Sequence, residues 1–317
     1  MDLTSALQRL ASYRAKQSRA SADIVKDGEL VLRKAGLTKL GDEEWAFLEQ
    51  LALAAIDTGK LDVADDITDG YAIQACLERL AAKFPESPRV DVLQGIRMEA
   101  TESSETVIRY YNTLLEADES NIAAWKRKIS VLKSSGDIKT AVQELSTLLD
   151  TFYTDVEGWL ELGSIYSSCN QYTSALQCLS HAMILAPQNA FYILEAAETA
   201  YSAADIPLAL KFYLRVVEML DEPPTSGTTP SRPEGPTLRA WYGVKLCVRD
   251  LLTSTSTASQ SESQTTPPSE KHLKLLDELS TERILAAYSP SSSKAGEGPP
   301  LGRETVVKWL ENTSSTS

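Results

Sequence analysis

Along the middle of the chain, apolar residues recur at intervals of three and four, the spacing of helices that bury one face. Helical segments of this kind run from about Asp42 to Leu220. Within them, the residues Trp159, Leu162, Gly163, Tyr166, Ala175, Leu179, Ala182 and Pro187 make a two-helix unit. Large side chains of a first helix pack there against small ones of a second. Gly163 and Ala175 are placed to let the two backbones approach, Trp159 and Tyr166 to fill the gap, and Pro187 to end the second helix. A frame shifted back by 34 residues carries Trp125, Ile129, Leu132, Ala141 and Leu145 at the same places. A forward shift gives Ala197, Ala200, Ala209, Tyr213 and Val216, and a second backward shift gives Gly95, Met98, Val107, Tyr111 and Leu114.

A repeat of this length with W-x2-L-G-x2-Y followed by spaced small residues and a closing proline is the tetratricopeptide (TPR) pattern. The expected fold is therefore all-α: a TPR-type helical-repeat solenoid, with extra N-terminal helices and a partly disordered C-terminal third. Residues 1–40 read as a helical segment outside the repeat frame, with Leu3, Leu7 and Leu10 on one face. The solenoid follows over 42–220, as an irregular first repeat at 42–87 and then 88–121, 122–155, 156–189 and 190–223. Asn121, Asp155 and Asn189 end repeats where the next helix needs an N-cap, and Gly136 stands where paired helices must turn. In the first repeat Gly59 fits a start at Trp45, whereas Leu77, Leu80 and Pro85 fit a start at residue 54. The nine-residue difference predicts an insertion within Leu61–Tyr71, acidic at Asp62, Asp65, Asp66 and Asp69.

Beyond Leu220 the composition changes. Residues 221–237 contain five prolines in 17 residues and read as a non-helical linker. An additional helix at 238–252 carries Trp241, Val244 and Leu246. Residues 253–269, with eleven Ser/Thr in 17, lack the apolar surface to order themselves. An amphipathic helix at 271–288 (Leu275, Leu276, Leu279, Leu285) precedes a flexible tail, 289–317, that holds a short helix at Arg303–Leu310.

Hydrophobic residues make up 43% of the 317, ample for a packed core. The net charge of −13 argues against nucleic-acid binding, which needs a basic footprint. Residues 1–40 carry +4 of that balance, which leaves −17 for the remainder. No apolar run reaches the ~20 residues of a membrane helix; the best, Trp45 to Ile56, is broken by Glu49 and Gln50. The N-terminus lacks the apolar stretch of a signal peptide. Its Arg9, Arg14, Lys16 and Arg19 imitate a mitochondrial transit peptide, but Asp2, Asp23 and Asp27 dilute the pattern. Cys76, Cys169, Cys178 and Cys247 form no CxxC pair and read as small core residues in a reducing compartment. The chain is expected to be soluble and cytosolic.

Catalysis needs titratable groups at fixed geometry. The two histidines, His181 and His272, are expected at a surface or between helices, and no HExxH, GxSxG, P-loop or GxGxxG is present. The expectation is a protein with no enzymatic activity, cofactor or metal. Lys126-Arg127-Lys128 has two readings: a solvated helix face, or groove cations that hold an acidic peptide or a terminal carboxylate. TPR co-chaperones clamp such carboxylates with Lys, Asn and Arg on three adjacent first helices. Lys126 matches the first position, but Ser130, Phe191 and Glu195 occupy later ones. A start one repeat earlier puts Val92, Ile96, Glu157 and Glu161 there, and an acidic groove repels a carboxylate. Repeat position nominates Arg89, Lys126, Lys133, Glu157, Phe191 and Tyr201 as groove residues, with an ordinary solvated helix face as the alternative for each. Gly95, Trp125, Ala141, Trp159, Gly163, Tyr166, Ala175, Pro187 and Ala209 are the repeat-defining structural residues.

Several segments are more particular than the generic repeat. They are Ser18-Arg19…Ser21…Ile24-Val25…Gly28-Glu29, then Ala54-Ala55-Ile56-Asp57-Thr58-Gly59, then Phe84-Pro85-Glu86-Ser87-Pro88-Arg89-Val90. Leu93-Gln94-Gly95-Ile96-Arg97-Met98-Glu99-Ala100 and Lys126-Arg127-Lys128-Ile129 complete the set. Together they resemble the family of subunit 2 of the endoplasmic reticulum membrane protein complex, closely over residues 18–220 and loosely over 238–290. The insertion near 61–71 and the Pro-rich and Ser/Thr-rich stretches depart from the family pattern. The resemblance implies a non-catalytic TPR scaffold, peripherally held on the cytosolic side of the endoplasmic reticulum membrane. Its implied partners are the cytosolic parts of membrane-embedded subunits and other soluble subunits, with no span of its own. The complex it implies inserts tail-anchored and other transmembrane segments. The rival reading is a free cytosolic TPR adaptor or co-chaperone that binds peptide tails.

Overall fold

The computed structural model describes residues 2–33, 40–59, 73–221, 232–253, 263–289 and 302–314. The insertion expected within 61–71 lies outside them, as do most of the Pro-rich and Ser/Thr-rich stretches and residues 290–301 of the tail. The protein is all-α: fifteen α-helices and no strand occur among the described residues. The chain divides into two compact units, Met1–Leu148 and Leu149–Ser317.

The first unit holds α1 (Leu3–Ala15), α2 (Ser21–Arg33), α3 (Glu44–Asp57), α4 (Ile73–Lys83), α5 (Pro88–Thr101), α6 (Ser104–Ala117), α7 (Ile122–Ser134) and most of α8 (Ile138–Thr151). Each helix from α1 to α6 packs on its successor, and α3 also touches α5 as α5 touches α7. First helices of successive repeats therefore lie side by side. The N-terminal helices join the first core: Leu3, Ala6 and Leu10 of α1 and Ile24, Val25 and Val31 of α2 are buried with Phe47, Leu48 and Leu51 of α3. Ala6 takes the centre of the α1 face, and Leu7, expected there, is only partly buried. Arg9 adds a bidentate pair to the buried Asp27, 2.6 and 2.8 Å, which ties α1 to α2. Gly28 lets α2 approach α3, since a Cβ there would lie 2.6 Å from Leu51 Cδ1.

The repeat register is visible in burial. Val107 and Tyr111 on α6, and Ala141, Leu145 and Leu148 on α8, are all buried at successive steps of the frame. In the second unit Ala175, Leu179 and Ala182, then Ala209, Tyr213 and Val216, repeat the pattern. Turn chemistry accompanies it: Gly136 has φ +87°, and the Asn121 and Asn189 side chains accept from the N–H groups of Ala124 and Phe191. Asp155 takes the same position before α9 without a side-chain cap bond.

The second unit holds the end of α8, α9 (Val156–Ser168), α10 (Tyr172–Leu185), α11 (Ala190–Ser202), α12 (Ile206–Leu220), α13 (Gly235–Thr253), α14 (Glu270–Ala287) and α15 (Arg303–Ser314). Here too each helix from α9 onward packs on the next, and α13 touches both α12 and α11. That is the relation α5 has to α4 and α3, so α13 and α14 prolong the series of pairs. Trp241, Val244, Cys247 and Val248 of α13 share one core with Leu194, Ala197, Ala209 and Leu210. Gly235-Pro236-Thr237 belong to α13, not to a linker; proline suits a first helical turn, where no N–H partner is needed.

The buried face of α14 also differs from expectation. Leu273, Ser280, Arg283, Ile284 and Ala287 are covered, whereas Leu275 and Leu279 are exposed. Polar pairing selects this face. Asp221, at the end of α12, accepts from Arg283 Nε (3.1 Å), Arg283 Nη2 (2.5 Å) and Trp241 Nε1 (2.9 Å). Lys245 of α13, only 5% exposed, reaches Asp277 at 2.6 Å and Thr281 at 2.8 Å. Turning α14 to bury Leu275 would strand these charges. Among the cysteines, Cys76, Cys178 and Cys247 are buried as expected, but Cys169 is exposed because it falls on the C-cap of α9, beyond the packed turn.

Candidate functional site

The faces of α3, α5 and α7 that sit side by side line a cavity of about 720 Å³ within the first unit, walled on one flank by the end of α1 and the start of α2. Its apolar lining includes Leu53, 37% exposed, with Ile24, Ala54, Ile96 and Ala100. Its polar lining is built from ion pairs, and in those of Asp57, Glu49 and Glu99 the carboxylate lies deeper than the guanidinium. Asp57 accepts two bonds from Arg19, 2.7 and 2.9 Å, and one from the Ser21 hydroxyl, 2.8 Å. Glu49 accepts from Arg89 Nε at 2.8 Å. Arg14 spans from Glu43 (2.6 Å) to Gln50 (3.0 Å). Glu99 takes Arg127 Nε at 2.9 Å and the Tyr111 hydroxyl at 2.6 Å.

These contacts set the local electrostatics. The Arg19 hydrogen bonds hold the Asp57 carboxyl below the usual carboxylate range. Burial, then the bond to Glu99, pushes the Tyr111 phenol well above its ordinary value, so it remains a neutral donor. Arg19 and Arg89 are 84% and 78% exposed while Asp57 and Glu49 are 27% and 21% exposed, so cations form the rim.

The nominated groove residues do not converge on one place. Arg89 lines this cavity. Lys126 is half-buried and Lys133 exposed on α7, and neither lines it; Arg127 does. The basic run is split three ways because neighbours on a helix point about 100° apart. Lys128 is buried and pairs with Glu144 of α8 at 2.8 Å; the same carboxylate accepts Trp125 Nε1 at 2.9 Å. In the second unit Glu157 is exposed on α9. Phe191, 62% exposed, borders a shallow hollow of about 590 Å³ with Pro187, Leu220 and Pro236. Tyr201 is turned to α13, where its hydroxyl donates to Asp250 at 2.8 Å, and burial raises it to about 12.

Of the residues nominated as repeat-defining, the two glycines differ in their surroundings. Gly95 is needed: a Cβ there would lie 2.6 Å from the fully buried Tyr111 ring. Gly163, at the matching position two repeats on, is not: a Cβ would meet Cys178 Cβ at 3.5 Å, an ordinary contact. Ala141, Ala175 and Ala209 are fully buried, and Tyr166 is half-buried. Trp159 stacks on His181 at 4.4 Å, which places that histidine on an aromatic face. Pro187 follows the end of α10.

Arg14, Arg19, Glu49, Asp57 and Glu99 were not singled out by repeat position. Their signal was present: Glu49 and Gln50, the two polar residues that interrupt the apolar run of α3, both face the cavity. The more particular segments also meet there. Ser18, Arg19, Ser21, Ile24, Asp57, Arg89, Ile96, Glu99 and Arg127, drawn from all five, line this one concavity. Among the described residues no group of His, Cys, Asp and Glu stands close enough to hold a metal ion.

Comparison with known proteins agrees with this picture. A family model described as the EMC2 TPR-like repeat domain matches residues 85–208. ER membrane protein complex subunit 2-A of Xenopus laevis is 32% identical over 214 residues, 67% of this chain and 69% of that protein. TPR repeat protein oca3 of Schizosaccharomyces pombe is 30% identical over 223 residues, 69% and 71% of the two chains. Among solved structures, the C-terminal part of a TPR repeat-containing protein from Cytophaga hutchinsonii aligns with a TM-score of 0.53, covering 87% of this chain and 96% of that one at 14% identity, a likeness of fold alone.

Proposed function

Because the chain belongs to the family of ER membrane protein complex subunit 2, we propose that it serves as the TPR scaffold of that complex on the cytosolic side of the membrane. In this role it is non-catalytic and gathers cytosolic parts of membrane-embedded subunits, together with other soluble subunits, so that the assembly can insert tail-anchored and other transmembrane segments. Among the described residues no helix is long and apolar enough to cross a membrane, which fits a role in which attachment runs through partners. One observation carries the reading: the segments that set this chain apart from a generic TPR protein are spread over more than a hundred residues of sequence, yet they line a single cavity. Residues that serve packing alone have no reason to meet on an open surface. A repeat array also offers long faces for partner segments and no machinery for bond chemistry.

Affinity purification of the tagged full chain in mild detergent tests the proposal. A fixed set of membrane proteins should co-purify in constant ratio. Recovery of cytosolic chaperones alone would favour a free adaptor and overturn the scaffold assignment.

A further inference from the structure

The cavity of the first unit has a chemistry of its own. Four arginines line it, Arg14, Arg19, Arg89 and Arg127, against three carboxylates, Glu49, Asp57 and Glu99. Glu43, outside the cavity, answers Arg14, so the charges balance, but the most exposed of those lining the cavity are the Arg19 and Arg89 guanidiniums, in a chain of net charge −13. The lining carboxylates are the deeper members of their pairs, so what meets an approaching molecule is guanidinium. Arg89 spends one N–H on Glu49, which leaves further donors of its planar fork for another acceptor. Between the cations lies apolar lining, with Leu53 open to solvent and Ile96, Ala54 and Ala100 beside it. A volume of about 720 Å³ suits a short stretch of polypeptide better than a whole folded surface.

We propose that this cavity is a docking site for an acidic peptide segment of a protein partner, in which one carboxylate engages Arg89 and Arg19 while small apolar side chains beside it rest on Leu53 and Ile96. The assignment deepens the scaffold reading and rests on it for the existence of a partner. The intramolecular pairs act as placeholders. Glu49 and Asp57 keep the arginines extended and in place, and the incoming carboxylate shares them, gaining charge-assisted bonds at little cost in ordering. Exposed ion pairs of this kind contribute little to folding, on the order of 0–1 kcal/mol, so they can be altered without unfolding the unit.

The test uses the full chain in cells, with the photo-crosslinker p-benzoylphenylalanine at Leu53 and, as a control, at Thr113 on α6. Crosslinks at Leu53 should map to a partner segment that carries Asp or Glu within a few residues of the attachment point. Arg89→Glu and Arg19→Glu should each lower the yield about tenfold. Glu49→Gln, which removes the internal competitor for Arg89, should raise it several-fold and provides the test even if a charge reversal impairs folding. Crosslinks to phospholipid or to segments without acidic residues, no product above the Thr113 control, or a yield indifferent to Glu49→Gln would each overturn the proposal. Failure of the scaffold reading looks different: the purification then yields no membrane proteins, whatever Leu53 captures.

Discussion

Gly95 and Gly163 hold the same place in the 34-residue frame, yet the structure predicts opposite outcomes when each becomes alanine. At Gly95 a new Cβ would sit 2.6 Å from Cε1, Cζ and Oη of Tyr111, which is fully buried. The ring must retreat by about 0.8 Å to reach ordinary contact at 3.4 Å. Its hydroxyl is fixed to Glu99 at 2.6 Å, and Glu99 in turn to Arg127. Overpacking of this kind costs about 1–3 kcal/mol. Losing a hydrogen bond to a charged acceptor costs about 1.5–3 kcal/mol more. Alanine returns about 1 kcal/mol of helix propensity. The net expectation for Gly95→Ala is a loss of about 1.5–5 kcal/mol, or roughly 3–20 °C in melting temperature for a unit of this size. At Gly163 the new methyl finds contacts of 3.5–3.6 Å and no clash. Propensity then prevails, and Gly163→Ala should gain about 0.5–1 kcal/mol. Thermal melting followed by helical circular dichroism, with hydrogen exchange of α5 and α6 to localise the effect, measures both. The double variant Gly95→Ala/Tyr111→Leu should recover part of the loss, giving a coupling energy of about 1 kcal/mol or more. A Gly95→Ala variant as stable as the parent, or a Gly163→Ala variant less stable by over about 1 kcal/mol, would refute the steric argument.

Other expectations follow from named contacts. Asp221→Ala leaves the largely buried Arg283 without its carboxylate and should cost about 3–5 kcal/mol, seen as faster hydrogen exchange along α14; unchanged exchange there would remove the clamp from the account. The Asp57 carboxyl is held low by Arg19, so its contribution is present above the ordinary carboxylate pKa of about 3.9 and is lost as pH falls through the lowered folded value. In Arg19→Ala the Asp57 midpoint, followed by carboxyl NMR, should move up, and a fixed midpoint would contradict the assigned cause. Burial raises Cys76 and Cys178 to about 11, so a disulfide reagent at neutral pH should modify the exposed Cys169 first; Cys169→Ser should abolish the fast phase, and its survival would show that a buried cysteine opens readily.

Much of the fold was legible because a repeat states its packing rule several times over. Ala141, Ala175 and Ala209 are buried at every step of the frame, and the large residues beside them are buried or half-buried. Repeat position could not say which residues of the exposed first-helix faces would meet. Of the nominated cations Arg89 lines the cavity, but on α7 it is Arg127, next to the nominated Lys126, that reaches it, and Lys128 turns to Glu144. Tyr201 was placed on an open face because the frame ended at α12; α13 and α14 extend the series and draw its hydroxyl to Asp250.

Helix type, period, turns and family were thus set by local sequence, since spacing at three and four residues and side-chain volume act within a single helix pair. What only the tertiary structure decided is how far the array continues, which face of α14 is buried, and where the distinctive segments assemble. Each of these rests on interactions between residues far apart in the chain, such as Arg19 with Asp57, Arg89 with Glu49 and Arg283 with Asp221. A periodic sequence repeats its contacts within the period, whereas an ion pair across helices depends on distance and burial that exist only once the chain has folded.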